Sequence, residues 1–515
     1  MNHKALWWLR LKRLGLAVLL LFVTVAGALL VERLRGSLAL KHRLAELATQ
    51  GERLQLDAFA PARAATNNDA AAALLRLTNR LDATSAVWKT SPPMGRYAAP
   101  GKLIVAAKLN TWINDRETND WRTLAASLGQ DRAVLDSMHS ALLRPGWNDG
   151  FAYDNGFLDF KIGPLVVWKS FSQRLALTAL MALRQNDPES AVARIEDAGR
   201  LLNLQGNSPL LVAQLVRLAS ATVVWNATWE IVVSGQCSEP QLARLQTAWE
   251  GMDFQADMER AMQMERNMTL DQYDLVVADA GKRAKALDDL EQAAEFGLAS
   301  GPPTRGFWLH AVYAPVWSFA WARQDELRSL NRWQELIEFD RAARAQSWSA
   351  VSNQAARLNN SVGLFTVATN DNNHAPMNLY DRLRYLWSGE TFSVGSSMTR
   401  KAMQCETQRQ MLVTAVALHR WKLRTGKLPA NLTALVPELL DDEPMDLMNH
   451  QPLAYQLAAD GSMRLYSVGV DGRDDGGDPR PADAKGNYHS MWDGRDAIWP
   501  AAADEQIAEA VAHAK

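Results

Sequence analysis

The sequence is poor in cysteine and in net charge. Cys237 and Cys405 are its only cysteines in 515 residues, which excludes a disulfide-dense scaffold and a zinc site of four thiolates. The formal net charge is −2, so no basic surface for nucleic acid is expected. The sequence also lacks His-Glu-x-x-His, Gly-x-Ser-x-Gly, Ser-x-x-Lys, Cys-x-x-Cys and Gly-Lys-Ser/Thr. Nucleotide binding and familiar hydrolase or redox chemistry are therefore not predicted.

A long apolar run stands near the N-terminus. Residues 14–31 carry no charge, and Lys4, Arg10, Lys12 and Arg13 precede them. Eighteen residues are just sufficient to cross the hydrocarbon core of a bilayer. A cleaved signal peptide is the competing interpretation, because Ala26-Gly27-Ala28 has the small-x-small form of a cleavage site. We favour a retained anchor, because apolar residues continue through Val31 and a helical pattern follows.

Helix-start signals dominate the middle of the chain. Asp187-Pro188 and Ser208-Pro209 each read as an N-cap followed by proline, and Ser238-Glu239-Pro240-Gln241 reads as a capping box. Residues 175–204 resemble one tetratricopeptide-like hairpin, but no period near 34 residues recurs. A mainly α fold is therefore predicted, with an irregular α-solenoid or bundle of helical hairpins.

An acidic, glycine-rich loop follows a short apolar strand near the C-terminus. Asp471, Asp474, Asp475 and Asp478 fall within eight residues, interleaved with three glycines. Ca²⁺ binds six to eight oxygens, and glycine allows the tight turns that point carboxylates and carbonyls inward. A solvated Asp/Gly turn without an ion is the alternative.

The elements around this loop resemble the head of the major pseudopilin of bacterial type II secretion. The features that carry the resemblance lie within residues 398–500: a long helix, the corner Gly426-Lys427-Leu428-Pro429, strand-like segments at 452–457 and 463–468, and the loop Tyr466-Ser467-Val468-Gly469-Val470-Asp471-Gly472. The resemblance implies a small α+β head with an antiparallel sheet, closed by a strand near 496–499.

The resemblance also implies a structural Ca²⁺ site in the loop. By the family's pattern, Asp471 and Asp478 are implied ligands, and the backbone carbonyls of Leu465 and Ser467 add to them. Asp474 and Asp475 are further carboxylates in the same loop, with roles that the pattern does not assign.

The N-terminal sequence departs from a pseudopilin. It has no Gly-Phe-Thr-Leu-like processing site and no Glu five residues into a mature helix, so assembly into a fibre is not expected. The predicted domains are an anchor (1–35), an α-helical domain (36–365), a linker (366–397), the head (398–500) and a tail (501–515). Because pseudopilin heads are exported, the bulk of the chain is predicted in the periplasm, held by a single span of the bacterial inner membrane.

Aromatic residues suggest a second hypothesis. A loop at 147–159 sets Trp147 beside Asp149, Asp154 and Asp159, and rings near paired acids are what a glycan site needs. Packing of the rings between hairpins is the simpler interpretation. Burial in a helical core is also expected for a second aromatic group: Phe307, Trp308, Tyr313, Trp317, Phe319 and Trp321.

The sequence as a whole favours a protein-interaction or structural role, linked to secretion or envelope assembly, for a membrane-anchored, exported chain. Its expected partners are the membrane and other envelope or secretion proteins. The alternative is an exported helical protein that binds or hydrolyses glycans through residues 147–159.

Overall fold

The N-terminal helix sets the layout of the molecule. In the computed structural model, the first helix, α1, runs without a break over His3–Thr49. The structure describes residues 3–59, 68–81, 94–99, 102–106, 121–148, 165–295, 302–361, 378–388, 395–480 and 490–499. The apolar run of α1 is exposed along its length, and α1 is the one described helix that is long and apolar enough to cross a membrane. From Glu32 onward α1 contacts the rest of the protein.

The remaining described helices are α2 Ala70–Leu75, α3 Trp121–Leu142, α4 Leu165–Arg184, α5 Pro188–Gln205, α6 Leu211–Val233, α7 Glu239–Trp249, α8 Phe254–Ala278, α9 Ala280–Glu295, α10 Gly306–Trp308, α11 Ala314–Ala320, α12 Ala322–Ala345, α13 Trp348–Ser361, α14 Leu379–Arg384 and α15 Gly395–Thr425. A π-helical turn, Leu309–Tyr313, joins α10 to α11. The strands are β1 Met94–Ala99, β2 Lys102–Ala106, β3 Met445–Asp446, β4 Gln451–Pro452, β5 Ala454–Leu457, β6 Met463–Ser467 and β7 Ala497–Trp499. The predicted mainly α fold with a small C-terminal antiparallel sheet is confirmed.

Capping side chains begin the helical hairpins. Asp187 accepts a hydrogen bond from the Ser190 amide at 3.0 Å, and the Ser238–Gln241 capping box starts α7, as predicted. The start predicted at Ser208-Pro209 is displaced, because α6 begins at Leu211 after an extended Leu210.

A methionine-rich face of α8 lies in the core. Met258, Met262, Met264 and Met268 are all buried and pack with residues of α4 to α7. Flexible thioether side chains fill irregular gaps between helices. Cys237 and Cys405 are buried as well, and each is a free thiol.

A break at residues 346–347 separates α12 from α13. The amides of Trp348 and Ser349 donate to the carbonyls of Leu447 and Met448, both at 3.0 Å. Because these amides bond to the C-terminal region, α12 ends at Ala345 and α13 begins afresh at Trp348.

The C-terminal sheet lies on the helices. Strands β5, β6 and β7 form an antiparallel sheet in that order, with Leu465 opposite both Tyr455 and Trp499. Trp499 is fully buried and belongs to the same hydrophobic core as α4 to α8 and α15. Strands β1 and β2 form a second antiparallel pair, which no sequence signal predicted.

The second aromatic group does not lie wholly in the core. Tyr313 and Trp317 are buried, as expected, but Phe307, Trp308 and Phe319 are 74%, 64% and 44% exposed. The expectation was wrong for these three, because α10, the π-helical turn and α11 use only one of their two apolar faces to pack on the protein.

Candidate functional sites: the acidic loop and the membrane-proximal face

Two aspartates fix the start and the end of the acidic loop. Asp446 is buried and accepts hydrogen bonds from the Val468 amide, the Met448 amide and the Ser467 hydroxyl, each at 2.9 Å. Burial raises the pKa of Asp446, although these three donors oppose the rise. The carboxylate therefore holds the end of β6, where the loop begins.

Asp496 holds the far side of the loop. Its carboxylate accepts from the amides of Gly477 at 2.7 Å, Asp478 at 3.0 Å and Asp475 at 3.4 Å. Burial raises the pKa of Asp496, and the three amide donors oppose that rise. The only sequence signal that Asp496 holds the loop is its position directly before an apolar strand. The sequence around Asp446 gives no stronger signal.

Three of the predicted carboxylate ligands, Asp471, Asp474 and Asp478, have protein partners of their own. Asp471 accepts from the Arg473 amide at 3.0 Å, and Asp474 accepts from the Tyr466 hydroxyl at 2.9 Å and from the Gly476 amide at 2.8 Å. Asp478 accepts from Arg480 through both carboxylate oxygens, and hydrogen bonding from Arg480 lowers its pKa to about 2.

The two predicted carbonyl ligands belong to β6. Leu465 is buried opposite Trp499, and Ser467 lies opposite Ala497. Among the described residues, no three carboxylates of this loop bring their oxygens within 4.8 Å of one another. The Asp478–Arg480 pair does not suit a cation ligand, so a site here would need Asp471, Asp474 or Asp475 together with backbone oxygens. Ca²⁺ binding stays a prediction.

A different group of three potential metal ligands lies where α9 meets the π-helical turn. Asp288, Glu291 and His310 place one ligand atom each within 4.8 Å of one another. His310 Nε2 lies 3.1 Å from Asp288, and Glu291 accepts from the Gly306 amide at 3.3 Å. Since Asp288 is largely exposed, the observed contacts are sufficient to explain this group as a link between α9 and the π-helical turn.

A basic pocket lies beside α1 just beyond its apolar run. The cavity of about 500 Å³ is lined by three arginines, one glutamate and six other residues: Arg35, Arg328, Arg332, Glu335, Gly36, Ala39, Gln324, Leu327, Asn331 and Tyr385. Guanidinium groups are suited to carboxylate and phosphate oxygens, so an anion fits this lining better than a cation.

Part of this basic group holds the segment 378–388 in place. Arg328 and Arg384 lie 4.3 and 4.2 Å from the centroid of the Tyr385 ring, and Arg332 donates to the Ser388 carbonyl. Asp325 is fully buried and accepts from the amides of residues 386–388 at 2.9 to 3.0 Å. Burial lowers the pKa of Arg332 to about 10, and the positive charge of Arg328 adds to that effect.

The predicted glycan loop is described only at its start. Trp147 is buried, with its ring centroid 4.9 Å from that of Trp168, and the Asn148 amide donates to Asp69 at 3.2 Å. Asp149, Asp154 and Asp159 lie outside the described residues. Trp147 thus packs between helices and does not present its ring to solvent.

Comparisons with protein-family models, with curated proteins and with solved structures find no match. The pseudopilin resemblance is therefore a prediction that rests on the order of sequence features and on the sheet that follows α15.

Proposed function

We propose that this chain is a single-pass protein of a bacterial inner membrane, whose exported helical domain and pseudopilin-like head bind other envelope or secretion proteins. One observation carries the proposal: α1 is at once the exposed apolar segment and a core helix of the folded domain. Its residues 14–31 have the length and composition of a span, whereas Leu40 and Leu47, on the same helix, are buried against Leu270 and Leu330.

The junction between the two halves of α1 supports a rigid anchor. Gln324 donates through Nε2 to the Glu32 carbonyl at 2.9 Å and to the Glu32 carboxylate at 2.6 Å. A Cβ on Gly36 would lie 2.7 Å from Gln324 Cγ, so α1 and α12 approach closely here. A flexible tether needs no such contacts, whereas a span that positions the domain relative to the bilayer does.

An interaction role fits the helical architecture. Stacked helical hairpins present extended surfaces for other proteins. Val166 on α4 and Leu423 on α15 are 80% and 55% exposed, and these large apolar side chains are candidate contact points.

Ca²⁺ in the acidic loop is a second part of the proposal, and its role is structural. Gly469, Gly472, Gly476 and Gly477 all have positive φ, so the loop uses the left-handed turns that glycine permits. Asp471, Asp474 and Asp475 are the candidate carboxylates, because Arg480 engages Asp478.

Reporter fusions test the topology. A phosphatase that is active only in the periplasm, fused after Lys515, is expected to be active, and a fluorescent protein that folds only in the cytoplasm is expected to stay dark. Replacement of Leu20 and Phe22 with arginine should reverse both results. Leu38→Arg is the matched control, since Leu38 is exposed on α1 beyond the apolar run. A dark phosphatase fusion with a bright fluorescent fusion contradicts export.

Crosslinking tests the interaction role. A photo-crosslinking residue at Val166 or Leu423 in cells is expected to give discrete adducts with envelope proteins, and the same residue at the exposed Glu438 is expected to give fewer. Equal, diffuse labelling at all three positions contradicts the proposed interaction surface.

A further inference from the structure

The segment Gly306–Ala320 has two apolar faces, of which the protein covers one. Leu309, Tyr313, Trp317 and Ala320 are buried at helical spacing. Trp308, Val312, Pro315 and Phe319 are exposed at the same spacing on the other face. Residues 306–322 contain no Asp, Glu, Lys or Arg. A helix with two apolar faces is normally covered on both of them, by protein or by lipid. We name this segment the apolar elbow.

The apolar elbow lies beside the point where α1 ends its apolar run. α11 packs directly on α1, and the Arg33 guanidinium lies 4.8 Å from the centroid of the Phe319 ring. Arg33 follows Val31 by two residues, which is about 3 Å along a helix. In a bilayer spanned by residues 14–31, Phe319 would therefore lie where the hydrocarbon gives way to the polar headgroups.

The exposed side chains are those that favour this depth. Phe307, Trp308 and Val312 are 74%, 64% and 45% exposed, and tryptophan concentrates at membrane–water interfaces. Trp7 and Trp8 stand at the opposite end of the apolar run, 61% and 58% exposed. The segment 378–388 adds Leu379 and Tyr380, which are 71% and 44% exposed. The Tyr380 ring meets that of Trp321, the residue directly after the elbow, edge-on with centroids 6.2 Å apart.

We infer that the exposed face of the apolar elbow docks in the interfacial layer of the same bilayer that α1 spans, with the lipid surface as its ligand. The inference rests on the membrane anchor of the proposed function. The exposed face continues the apolar surface of α1 and carries no charged side chain. A molecule that covers this face therefore also contacts the membrane-spanning part of α1, and lipid is the occupant that fits this position. The elbow then gives the folded domain a second attachment and a fixed orientation on the membrane.

Spin labels on the full-length chain test the inference. The chain is reconstituted into vesicles of phosphatidylethanolamine and phosphatidylglycerol, with one label per sample introduced through Phe307→Cys or Val312→Cys. Val166→Cys is the matched control, since Val166 is equally apolar and exposed on α4. Phe22→Cys reports on the span itself. The native Cys237 and Cys405 are buried, and the chain without an added cysteine sets the background.

Collision rates with oxygen, which concentrates in lipid, and with a nickel chelate, which stays in water, give the depth of each label. We expect an oxygen-to-nickel ratio several-fold higher at 307 and 312 than at 166, and highest at 22. A high ratio at 22 with ratios at 307 and 312 equal to that at 166 overturns the elbow and leaves the anchor intact. A low ratio at 22 overturns the anchor and with it the elbow's lipid contact. Labels at 307 and 312 that are shielded from both quenchers indicate a second copy of the chain on this face, which also overturns the inference.

Discussion

The indole ring of Trp499, in the last strand of the C-terminal sheet, meets the ring of Trp225 on α6 edge-on, with centroids 5.1 Å apart. Trp225 in turn donates from Nε1 to the Gln408 carbonyl of α15 at 2.9 Å. Residues of the predicted head and of the helical hairpins thus pack in one hydrophobic core.

Because Trp499 is fully buried, Trp499→Ala should lower the free energy of unfolding by about 3–5 kcal/mol. Urea unfolding of the detergent-solubilised full chain, followed by circular dichroism, measures it, and most of the helical signal should be lost together with the sheet. Leu423→Ala, at an exposed position, should change the free energy by about 0.5 kcal/mol or less. A loss of sheet signal with unchanged helix unfolding would show two independent domains.

A buried ion cluster fastens the end of α1 to α8 and α12. Glu52 accepts from Arg266 at 2.8 Å and also from Arg341. Burial by itself raises the pKa of Glu52, but hydrogen bonds from Arg341 and Arg266 outweigh it and lower the pKa from 4.5 to about 2.

Glu52→Gln leaves the fully buried Arg266 without its counter-charge, so a loss of about 3–5 kcal/mol is expected. The folded-state pKa is depressed, so the stability that Glu52 contributes is present above pH 4.5 and is lost as the pH falls toward about 2. Asp136→Asn, which breaks a pair with Arg194 at an exposed position, is the control and should behave like the wild type. Equal unfolding curves for the two variants would refute the role of Glu52.

Asp340 gives a pH dependence of the opposite sign. Burial raises the pKa of Asp340 from 3.8 to about 7. Its Oδ1 atom accepts a hydrogen bond from the Thr399 hydroxyl at 2.7 Å, whereas Oδ2 has no hydrogen-bond partner among the described residues. Between these two pKa values the folded state keeps a proton that the unfolded state has lost, so stability falls as the pH rises from about 4 to about 7.

Asp340→Asn should reduce that fall, as measured by urea midpoints across this pH range. Glu265 and Glu326, whose pKa values burial also raises to about 7, contribute equally in both proteins and cancel in the comparison. Asp441→Asn is the control, since Asp441 is exposed. A pH profile of Asp340→Asn that superimposes on the wild type would show that Asp340 is ionised in the folded protein.

The Ca²⁺ prediction is tested by melting the full chain in Ca²⁺ and in chelator. A ligand that binds only the folded state raises the melting temperature, and Asp471→Asn should remove most of the rise. Asp460→Asn is the control, because Asp460 lies in the neighbouring β5–β6 turn, where it accepts from Ser462. Identical melting curves in Ca²⁺ and in chelator would rule out the site. A response that survives Asp471→Asn but is lost in Asp475→Asn would move the ligand role to Asp475.

Local signals in the sequence were sufficient for the parts of the fold that local physics decides. The Ser238 capping box and the Asp187 cap mark helix starts through contacts within four residues, and the strands before the acidic loop follow their sequence pattern. The break before Trp348 depends on carbonyls of Leu447 and Met448, about a hundred residues away, which no local pattern reveals.

The same limit applies to the candidate sites. Asp446 and Asp496 hold the acidic loop because the fold brings them to amides of residues 468–478, yet each is a lone carboxylate in the sequence. The exposed face of the apolar elbow was expected in the core, since a sequence of this composition has the same appearance whether protein or lipid covers it.

We expect α1 to stay attached to the mature protein and to span the membrane. The most direct measurement is the intact mass of the full-length protein recovered from membranes after alkaline carbonate washing. The protein should stay in the membrane pellet, and its mass should include residues 14–31. Release of the protein by carbonate, with the mass of a chain whose first residue is Leu29, would contradict a retained membrane span.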